Sequence, residues 1–199
     1  MFYLCKRLAV LPLCLASSAL GATWHVDDDG ADYENADFDS IQQAIVSAMD
    51  NDVIIVHEGF YQSNGASHVI DTLGKSITIQ SSGAPLNTVI DCLFSARGLV
   101  CVSGETADTI INGLTISNGR GTSIDFNENQ LEDYWESSGG GAMVHDSSPT
   151  IMNCHFIDCS TIAYGGGLYS LGGSPALTDC SFVSNTSGNV GGGLHLTNH

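Results

Sequence analysis

The feature that most constrains this chain is an internal repeat with a fixed period. The segment "GGGLYSLGGSPALTDCSFVSN" (165–185) matches "GGGAMVHDSSPTIMNCHFIDC" (139–159) position by position, with a constant offset of 26 in residue number. The residues that recur at this spacing are the glycine triplets beginning at Gly139, Gly165 and Gly191, and the pairs Pro149/Pro175, Cys154/Cys180 and Phe156/Phe182. A fixed period within roughly 20–50 residues predicts an array of stacked units that bury their apolar faces against one another.

Each repeat contains short runs of the length and composition of β-strands. "GGLYSL" and "PALTDCSFV" are rich in apolar and β-favouring residues and are separated by Gly, Ser and Pro, and no helical period fits them. Two or three such strands per repeat predict a chain that winds one coil per repeat. Equivalent residues then lie above one another at a coil spacing of about 4.8 Å. The sequence therefore predicts an all-β parallel β-helix over residues 23–199.

Stacking predicts a ladder of equivalent residues. The phenylalanines should form an internal aromatic stack, the cysteines should fill space as small buried hydrophobes, and the Asn and Asp positions should lie at turns. The predicted ladder consists of Cys154, Cys180, Phe156, Phe182, Asn153 and Asp179. Asn185, the counterpart of Cys159, is expected to extend a polar ladder on the outside.

The repeat continues upstream with an interruption. "TIINGLTISN" (109–118) aligns with "TIMNCHFIDC" (150–159) at an offset of 41 in residue number, which exceeds the period by 15. The surplus predicts an insertion at about 120–138 that projects from one coil.

One amphipathic helix precedes the strands, in "DSIQQAIVSAM". Its apolar face is formed by Ile41, Ala44, Ile45, Ala48 and Met49. Asp39 or Ser40 is expected to cap its first turn, with Gln42 or Gln43 three residues on. At this position the helix would close the open apolar end of the coil stack.

The first 22 residues read as a signal peptide, with a basic start at Lys6 and Arg7, an apolar stretch, and the small-residue pattern Ala19-Leu20-Gly21. No later segment has the roughly 18 continuous apolar residues of a membrane helix. An exported chain is expected. Because the sequence stops partway into a repeat, at "GGGLHLTNH", we expect a longer native protein truncated at this end.

The chain is strongly acidic, with a formal net charge of −17. Beyond the leader, Lys75, Arg97 and Arg120 are the only strongly basic residues against 22 acids. Such a surface excludes nucleic acid as a partner, because that binding needs Lys and Arg to neutralise phosphates. The five cysteines outside the leader form no C-x-x-C pair and leave disulfide pairing open; they are Cys92, Cys101, Cys154, Cys159 and Cys180.

The capping helix followed by "DNDVIIVHEGFY" resembles the right-handed parallel β-helix, or pectin-lyase-like, superfamily. The triplets in "GGGAM", "GGGLY" and "GGGLH", with "FVSN", resemble the GGA[ILV] and FxxN repeats of chlamydial-type polymorphic outer-membrane proteins; "FIDC" departs from the second motif. The resemblance implies a right-handed coil and an adhesive, non-catalytic protein at the cell surface or outer membrane, or a generic secreted bacterial β-helix protein.

The same superfamily includes polysaccharide lyases and glycoside hydrolases, so an enzyme is the alternative. A lyase of this type needs a basic side chain as base, and the three cations are scattered along the chain. A hydrolase needs two facing carboxylic acids. The run Asp27–Asp29 reads as a solvated loop, whereas Asp146 and Asp158 have Gly172 and Ser184 as counterparts. These patterns favour a non-catalytic protein, with any catalytic site in further coils.

The insertion is the best candidate for a binding surface, because long insertions in compact arrays are often functional. Tyr134 and Trp135 could stack on a sugar, and the acids around them, including Asp125, Glu132 and Asp133, could bind Ca²⁺ through oxygen ligands. Alternatively, the aromatic residues fold back onto the coil and the acids face water. No cofactor is otherwise expected, and the expected partner is a carbohydrate or a cell-surface protein.

Overall fold

The computed structural model of the chain describes residues 21–122 and 134–198. In these residues all paired strands are parallel, and they form three long sheets joined in successive coils. The predicted all-β parallel β-helix with a helix at its N-terminal end is confirmed.

The first sheet has six strands, numbered here along the chain. They are β1 (Thr23–Val26), β2 (Val53–Val56), β5 (Thr78–Ser81), β8 (Ile110–Asn112), β11 (Thr150–Met152) and β15 (Ala176–Thr178). The second sheet has five strands: β3 (Gly59–Tyr61), β6 (Thr88–Asp91), β9 (Thr115–Ser117), β12 (His155–Ile157) and β16 (Ser181–Val183).

The third sheet also has five strands. They are β4 (His68–Asp71), β7 (Arg97–Cys101), β10 (Ala142–His145), β14 (Leu168–Leu171) and β18 (Leu194–Thr197). Two short strands, β13 (Ser160–Thr161) and β17 (Thr186–Ser187), pair between the second and third sheets. The remaining elements are the helix α1 (Ile41–Ser47) and the 3-10 helices Pro85–Asn87 and Tyr134–Ser137.

The core is built from columns of stacked side chains that each of the three sheets contributes. In the second sheet, for example, Tyr61, Ile90, Ile116, Phe156 and Phe182 lie in register from coil to coil. Full burial of one such aliphatic or aromatic side chain stabilises the fold by about 1.5–3 kcal/mol. The columns therefore explain why apolar residues recur at equivalent positions of each coil.

Phe156 and Phe182 stack face to face, with ring centroids 4.9 Å apart. Cys154 is fully buried beside Phe156, whereas Cys180 and Phe182 in the last coil are only partly buried. The rings fit because the third glycine of each triplet lies against them. A Cβ added at Gly141 would lie 2.9 Å from a ring carbon of Phe156, and one at Gly167 would lie 2.8 Å from Phe182. The glycine triplets and the phenylalanines are thus two parts of one packing arrangement.

The corner between the first and second sheets has a left-handed backbone conformation in successive coils. It is occupied by Gly113, Asn153 and Asp179, with φ values of 74°, 52° and 51°. Glycine, asparagine and aspartate are the residues that adopt this conformation at least cost. Asn153 and Asp179 lie at a turn for this reason.

The register of the interrupted repeat differs by one position from the sequence alignment. Ile111 pairs with Ile151 and Ile116 with Phe156, so the offset in residue number is 40 rather than 41. The sequence alignment matches Asn112 to Asn153, but the left-handed corner requires Gly113 at that position. The register is therefore fixed by the left-handed conformation at the corner and not by a match of identical residues. In the last three coils the offset is 26, as predicted.

Asn185 does not extend an external ladder as expected. Its side-chain oxygen accepts a hydrogen bond from the backbone N–H of Cys159 (2.9 Å), and its amide nitrogen donates to the carbonyl of Phe156 (2.8 Å). The half-buried side chain therefore ties the last coil to the coil beneath it, because backbone groups at a corner need partners.

The helix α1 closes the N-terminal end of the stack, with Ile41, Ala44 and Ile45 buried. Ser40 occupies the N-cap position, as predicted, but its side chain makes no capping hydrogen bond. Met49 is 76% exposed, because the helix ends at Ser47 and the following residue is extended. The chain direction changes before Met49 can join the apolar face.

Two side chains attach this helix to the coils. Lys75 donates from Nζ to the carbonyls of Ile45, Val46 and Ala48, which are the unsatisfied acceptors at the helix C-terminus. The Gln42 amide accepts from the backbone N–H of Asp71 (2.7 Å) and donates to its carbonyl (3.1 Å). The helix is thus bound to the first coils by polar contacts as well as by apolar burial.

Glu105 is a buried carboxylate that joins three coils. It accepts hydrogen bonds from the hydroxyls of Thr72 (2.7 Å) and Ser147 (2.8 Å) and from the backbone N–H groups of Gly74 and Ser103. Burial by itself raises the pKa of Glu105, but these donors outweigh it and hold the pKa below its ordinary value. The ionised form is therefore the one that the folded state prefers.

We expect Phe156→Ala to lower the free energy of unfolding by about 3–5 kcal/mol, because it opens a cavity in the aromatic stack. Phe60→Ala is the matched control, since Phe60 is 66% exposed, and should change stability by less than about 1 kcal/mol. Urea denaturation followed by circular dichroism measures both. Equal effects of the two substitutions would contradict in-register packing of the second-sheet column.

Glu105→Gln should lower the free energy of unfolding at pH 7 by about 2 kcal/mol, because the amide adds donors where four donors already converge. Since the folded-state pKa of Glu105 is lowered, its contribution is complete above the unfolded-state pKa and is lost as the pH falls below that value. Denaturation at pH 7 and pH 4 should therefore show a smaller gap between wild type and variant at pH 4. The exposed Asp108→Asn serves as control; a gap that does not depend on pH would refute this role.

Candidate functional site

The structure describes only the ends of the insertion that the sequence singles out. Residues 123–133, which include Asp125, Glu132 and Asp133, lie outside the described residues. Tyr134 and Trp135 belong to the 3-10 helix Tyr134–Ser137, but their side chains also lie outside the described part. The proposed contact of these five residues with a ligand therefore stays a prediction.

Both ends of the insertion are held by one buried arginine. Arg97, at the start of β7, is fully buried. Its Nε donates to the carbonyl of Gly139 (2.8 Å), and one of its terminal nitrogens donates to the carbonyls of Thr122 (3.0 Å), Glu136 (2.7 Å) and Ser138 (2.9 Å). Thr122 lies near the start of the insertion, and the other three acceptors lie at its end. Arg97 therefore acts as a clamp between the two ends.

The electrostatics of the clamp are consistent with a charged arginine. Burial lowers the pKa of Arg97 to about 10, and the Glu136 carboxylate acts in the opposite direction. At neutral pH the guanidinium stays protonated and can donate from several N–H groups in one plane. In the sequence Arg97 is one of the three scattered cations beyond the leader, and in the structure its guanidinium is bound inside the protein.

The insertion ends beside an aromatic cluster on the outer face of the third sheet. Tyr164 stacks on Tyr169 and on His195, with ring centroids 6.0 and 5.1 Å apart. The backbone N–H of Tyr164 bonds to the hydroxyl of Ser138, and its carbonyl accepts from the N–H of Gly139. The cluster therefore contacts the segment that the Arg97 clamp holds.

The outer face of the third sheet is more apolar than the outer face of a solvated sheet should be. Val100, Met143 and Tyr169 lie in register on it and are all buried, although they are not part of the central core. His195 continues the same column. This column was not predicted from the sequence, although the repeat period places Met143, Tyr169 and His195 at equivalent positions.

Asp146, Asp158 and the neighbouring His155 lie at corners and on a strand of the coils. Asp146 and Asp158 have left-handed backbones at corners, as do their counterparts Gly172 and Ser184. His155 contacts the Ser181 hydroxyl through Nδ1. These side chains do not form a facing pair of carboxylates.

The cysteines in the described part of the chain are all free. Burial raises the pKa of each thiol, to about 12 for Cys154 and Cys159. A thiol of this kind holds little thiolate at neutral pH and is a poor nucleophile. The cysteines thus serve as packing residues.

The acidic run Asp27–Asp29 is not a simply solvated loop. Asp27 is only 3% exposed and accepts hydrogen bonds from the backbone N–H groups of four residues, namely Asp29, Gly30, Asp32 and Tyr33. The Asp28 carboxylate accepts from Phe60 N–H and that of Asp29 from Ala31 N–H. The carboxylates fold the loop, which corrects the expectation from sequence.

Comparison with models of protein families, with curated proteins and with solved structures finds no match for this chain. Within residues 21–122 and 134–198, no helix has the length and apolar character needed to cross a membrane.

Arg97→Lys should loosen the insertion, because a lysine lacks the planar set of donors that reaches four carbonyls. We expect the free energy of unfolding to fall by about 2 kcal/mol and cleavage between 122 and 136 by a broad-specificity protease to become faster. The exposed Arg120→Lys is the matched control. Equal cleavage rates in wild type and Arg97→Lys would show that Arg97 does not hold the insertion.

Proposed function

We propose that this chain is an exported, non-catalytic surface protein that presents the insertion to a carbohydrate or protein partner. The observation that carries the proposal is the Arg97 clamp. A binding loop that is held in place before its ligand arrives loses less conformational entropy on binding. The buried Arg97 guanidinium bonds to both ends of the insertion and so restricts the conformations of these ends before a ligand binds.

The coil itself supports a role as a rigid support. Successive coils are joined by parallel strand pairing in three sheets, by stacked core residues and by side chains such as Glu105 and Asn185 that bond across coils. Extended stacked-repeat proteins commonly offer long surfaces for binding. We expect the insertion to project from one coil of this support.

A non-catalytic role is supported by what the charged groups do. Lys75 closes the helix C-terminus, Arg97 holds the insertion, and Glu105 joins coils. Asp52 binds the N–H groups of Ala22 and Met49 and the indole N–H of Trp24. Groups already engaged in structural hydrogen bonds are poorly suited to transfer protons to a substrate.

The sequence motifs support the surface location. The leader-like residues 1–22 lie mostly outside the described residues, but their pattern favours export. The glycine triplets and "FVSN" resemble the repeats of chlamydial-type polymorphic outer-membrane proteins within the wider pectin-lyase-like superfamily. We take adhesion at the cell surface or outer membrane as the proposed role of such a protein.

Binding to a glycan array tests the proposal directly. The double variant Tyr134→Ala/Trp135→Ala should bind its glycan about tenfold more weakly, because it removes aromatic stacking on the sugar. Phe94→Ala is the matched control, since Phe94 is an exposed aromatic residue on another coil. Binding measured with added calcium and with EDTA reports whether Asp125, Glu132 and Asp133 bind a calcium ion that the interaction needs.

Two results would overturn the proposal. Binding that survives the double variant would remove the insertion as the binding surface. A wild-type chain that binds neither a glycan on the array nor a cell-surface protein in cross-linking to intact cells would contradict the adhesive role itself.

A further inference from the structure

Two histidines at the N-terminal end of the stack face each other directly. His25 lies on β1 and His57 follows β2, and these strands are paired in parallel. Nδ1 of His25 and Nε2 of His57 are 3.0 Å apart. This distance is that of a hydrogen bond, so one nitrogen carries a hydrogen and the other offers its lone pair.

A tyrosine covers both imidazole rings. Tyr33 stacks on His25 and on His57, with ring centroids 4.4 Å apart and an interplanar angle of 12° in each case. Tyr33 ends the loop 27–33, whose N–H groups bind the buried Asp27 carboxylate. The end of this loop therefore packs against the histidine pair through the Tyr33 ring.

Several charged and titratable groups face the pair from the surrounding segments. The negative charges of Asp27 and Asp32 in the loop favour the protonated form of His57. The Asp37 carboxylate accepts from the backbone N–H of His25, and the hydroxyl of Tyr61 on β3 donates to the carbonyl of His57. Burial and the neighbouring His25 lower the pKa of His57, while the two carboxylates act in the opposite direction. The folded state thus prefers a neutral His57.

The chemistry of the pair sets its response to acid. A neutral pair keeps its hydrogen bond, and so does a pair with one added proton, because one ring still offers a lone pair. A single imidazolium under Tyr33 also gains a favourable contact with the aromatic face. When both rings are protonated, two N–H groups and two positive charges face each other at hydrogen-bond distance.

We propose that the His25–His57 pair is an acid-operated latch that holds the loop 27–33 closed under Tyr33 and releases it when both imidazoles are protonated. The latch stabilises the closed loop as long as one ring still offers a lone pair, and this stabilisation is lost when the second proton binds, below the ordinary histidine pKa of about 6.5.

Release of the loop would change the surface beside it. Asp28, Asp29 and Asp32 of the loop line a cavity of about 380 Å³ together with Glu58 and the exposed Phe60. Asp28 also accepts from the N–H of Phe60 on β3, the first strand of the second sheet. An open loop therefore removes one wall of the cavity and frees backbone at the edge of a sheet.

Hydrogen–deuterium exchange of the whole chain at a series of pH values tests the latch, after correction for intrinsic exchange. From about pH 7.5 down to the pH at which both imidazoles are protonated, protection of the N–H groups of Asp29, Gly30, Asp32 and Tyr33 should fall about tenfold or more. Protection of the central strands β9 and β12 should not change. His57→Gln should abolish the pH response, because glutamine can bond to His25 but does not take up a proton in this range.

His68→Gln is the matched control, because His68 is half-buried on β4 and faces Asp71; it should respond as wild type does. His25→Asn provides a second test should His57→Gln fail to fold, and the histidine proton shifts of the wild-type chain give a third. The latch is refuted if the loop of the wild type stays protected after the histidine shifts show both imidazoles protonated, if the loop opens while only one is protonated, or if His57→Gln or His25→Asn keeps the pH response.

Discussion

Close approach of successive coils at the glycine triplets is the constraint on which the rest of this structure depends. A Cβ at Gly141 would lie 2.5 Å from the carbonyl oxygen of Gly167, and one at Gly140 would meet the carbonyls of Ser160 and Gly166. Only glycine leaves room for the backbone of the next coil and for the phenylalanine rings inside. The tight stack allows one short repeat to place equivalent side chains in continuous columns, and polar groups such as Glu105 and Asn185 then connect the coils where the backbone turns.

The regular part of this arrangement could be predicted from sequence, and the reasons are physical. The last three coils repeat with a constant offset, so the stacking of Phe156 on Phe182 follows from spacing alone. The earlier coils are irregular: Val53 pairs with Thr78 and Thr78 with Ile110, so the offset in residue number changes from 25 to 32. A periodic alignment cannot follow such coils. Such an alignment places even the interrupted repeat at 109–118 one position out of register, because it matches Asn112 instead of Gly113 to Asn153.

The candidate site was harder to predict than the fold. The insertion was visible as a surplus of residues, but the side chain that holds its ends was not, because Arg97 lies far from both ends in the sequence, with separations of 25 to Thr122 and 41 to Ser138. In a chain as acidic as this one, composition alone predicts that an arginine lies on the surface. The His25–His57 pair was invisible for a related reason, since it lies in the irregular first coils, where no repeat relates the two positions. A contact made by a single pair of side chains does not recur from coil to coil, so a repeat pattern in the sequence cannot predict it.

The Gln42 side chain has a consequence for how the chain meets other chains. The outermost strand of a sheet normally displays unpaired N–H and C=O groups, which recruit further strands and so promote aggregation. At Asp71 in β4 both groups are already bound by the amide of Gln42, which imitates one peptide unit of a neighbouring strand. A strand from a second molecule would have to displace this amide, and with it the helix, before it could pair there. The helix thus protects this edge of the third sheet against unwanted association.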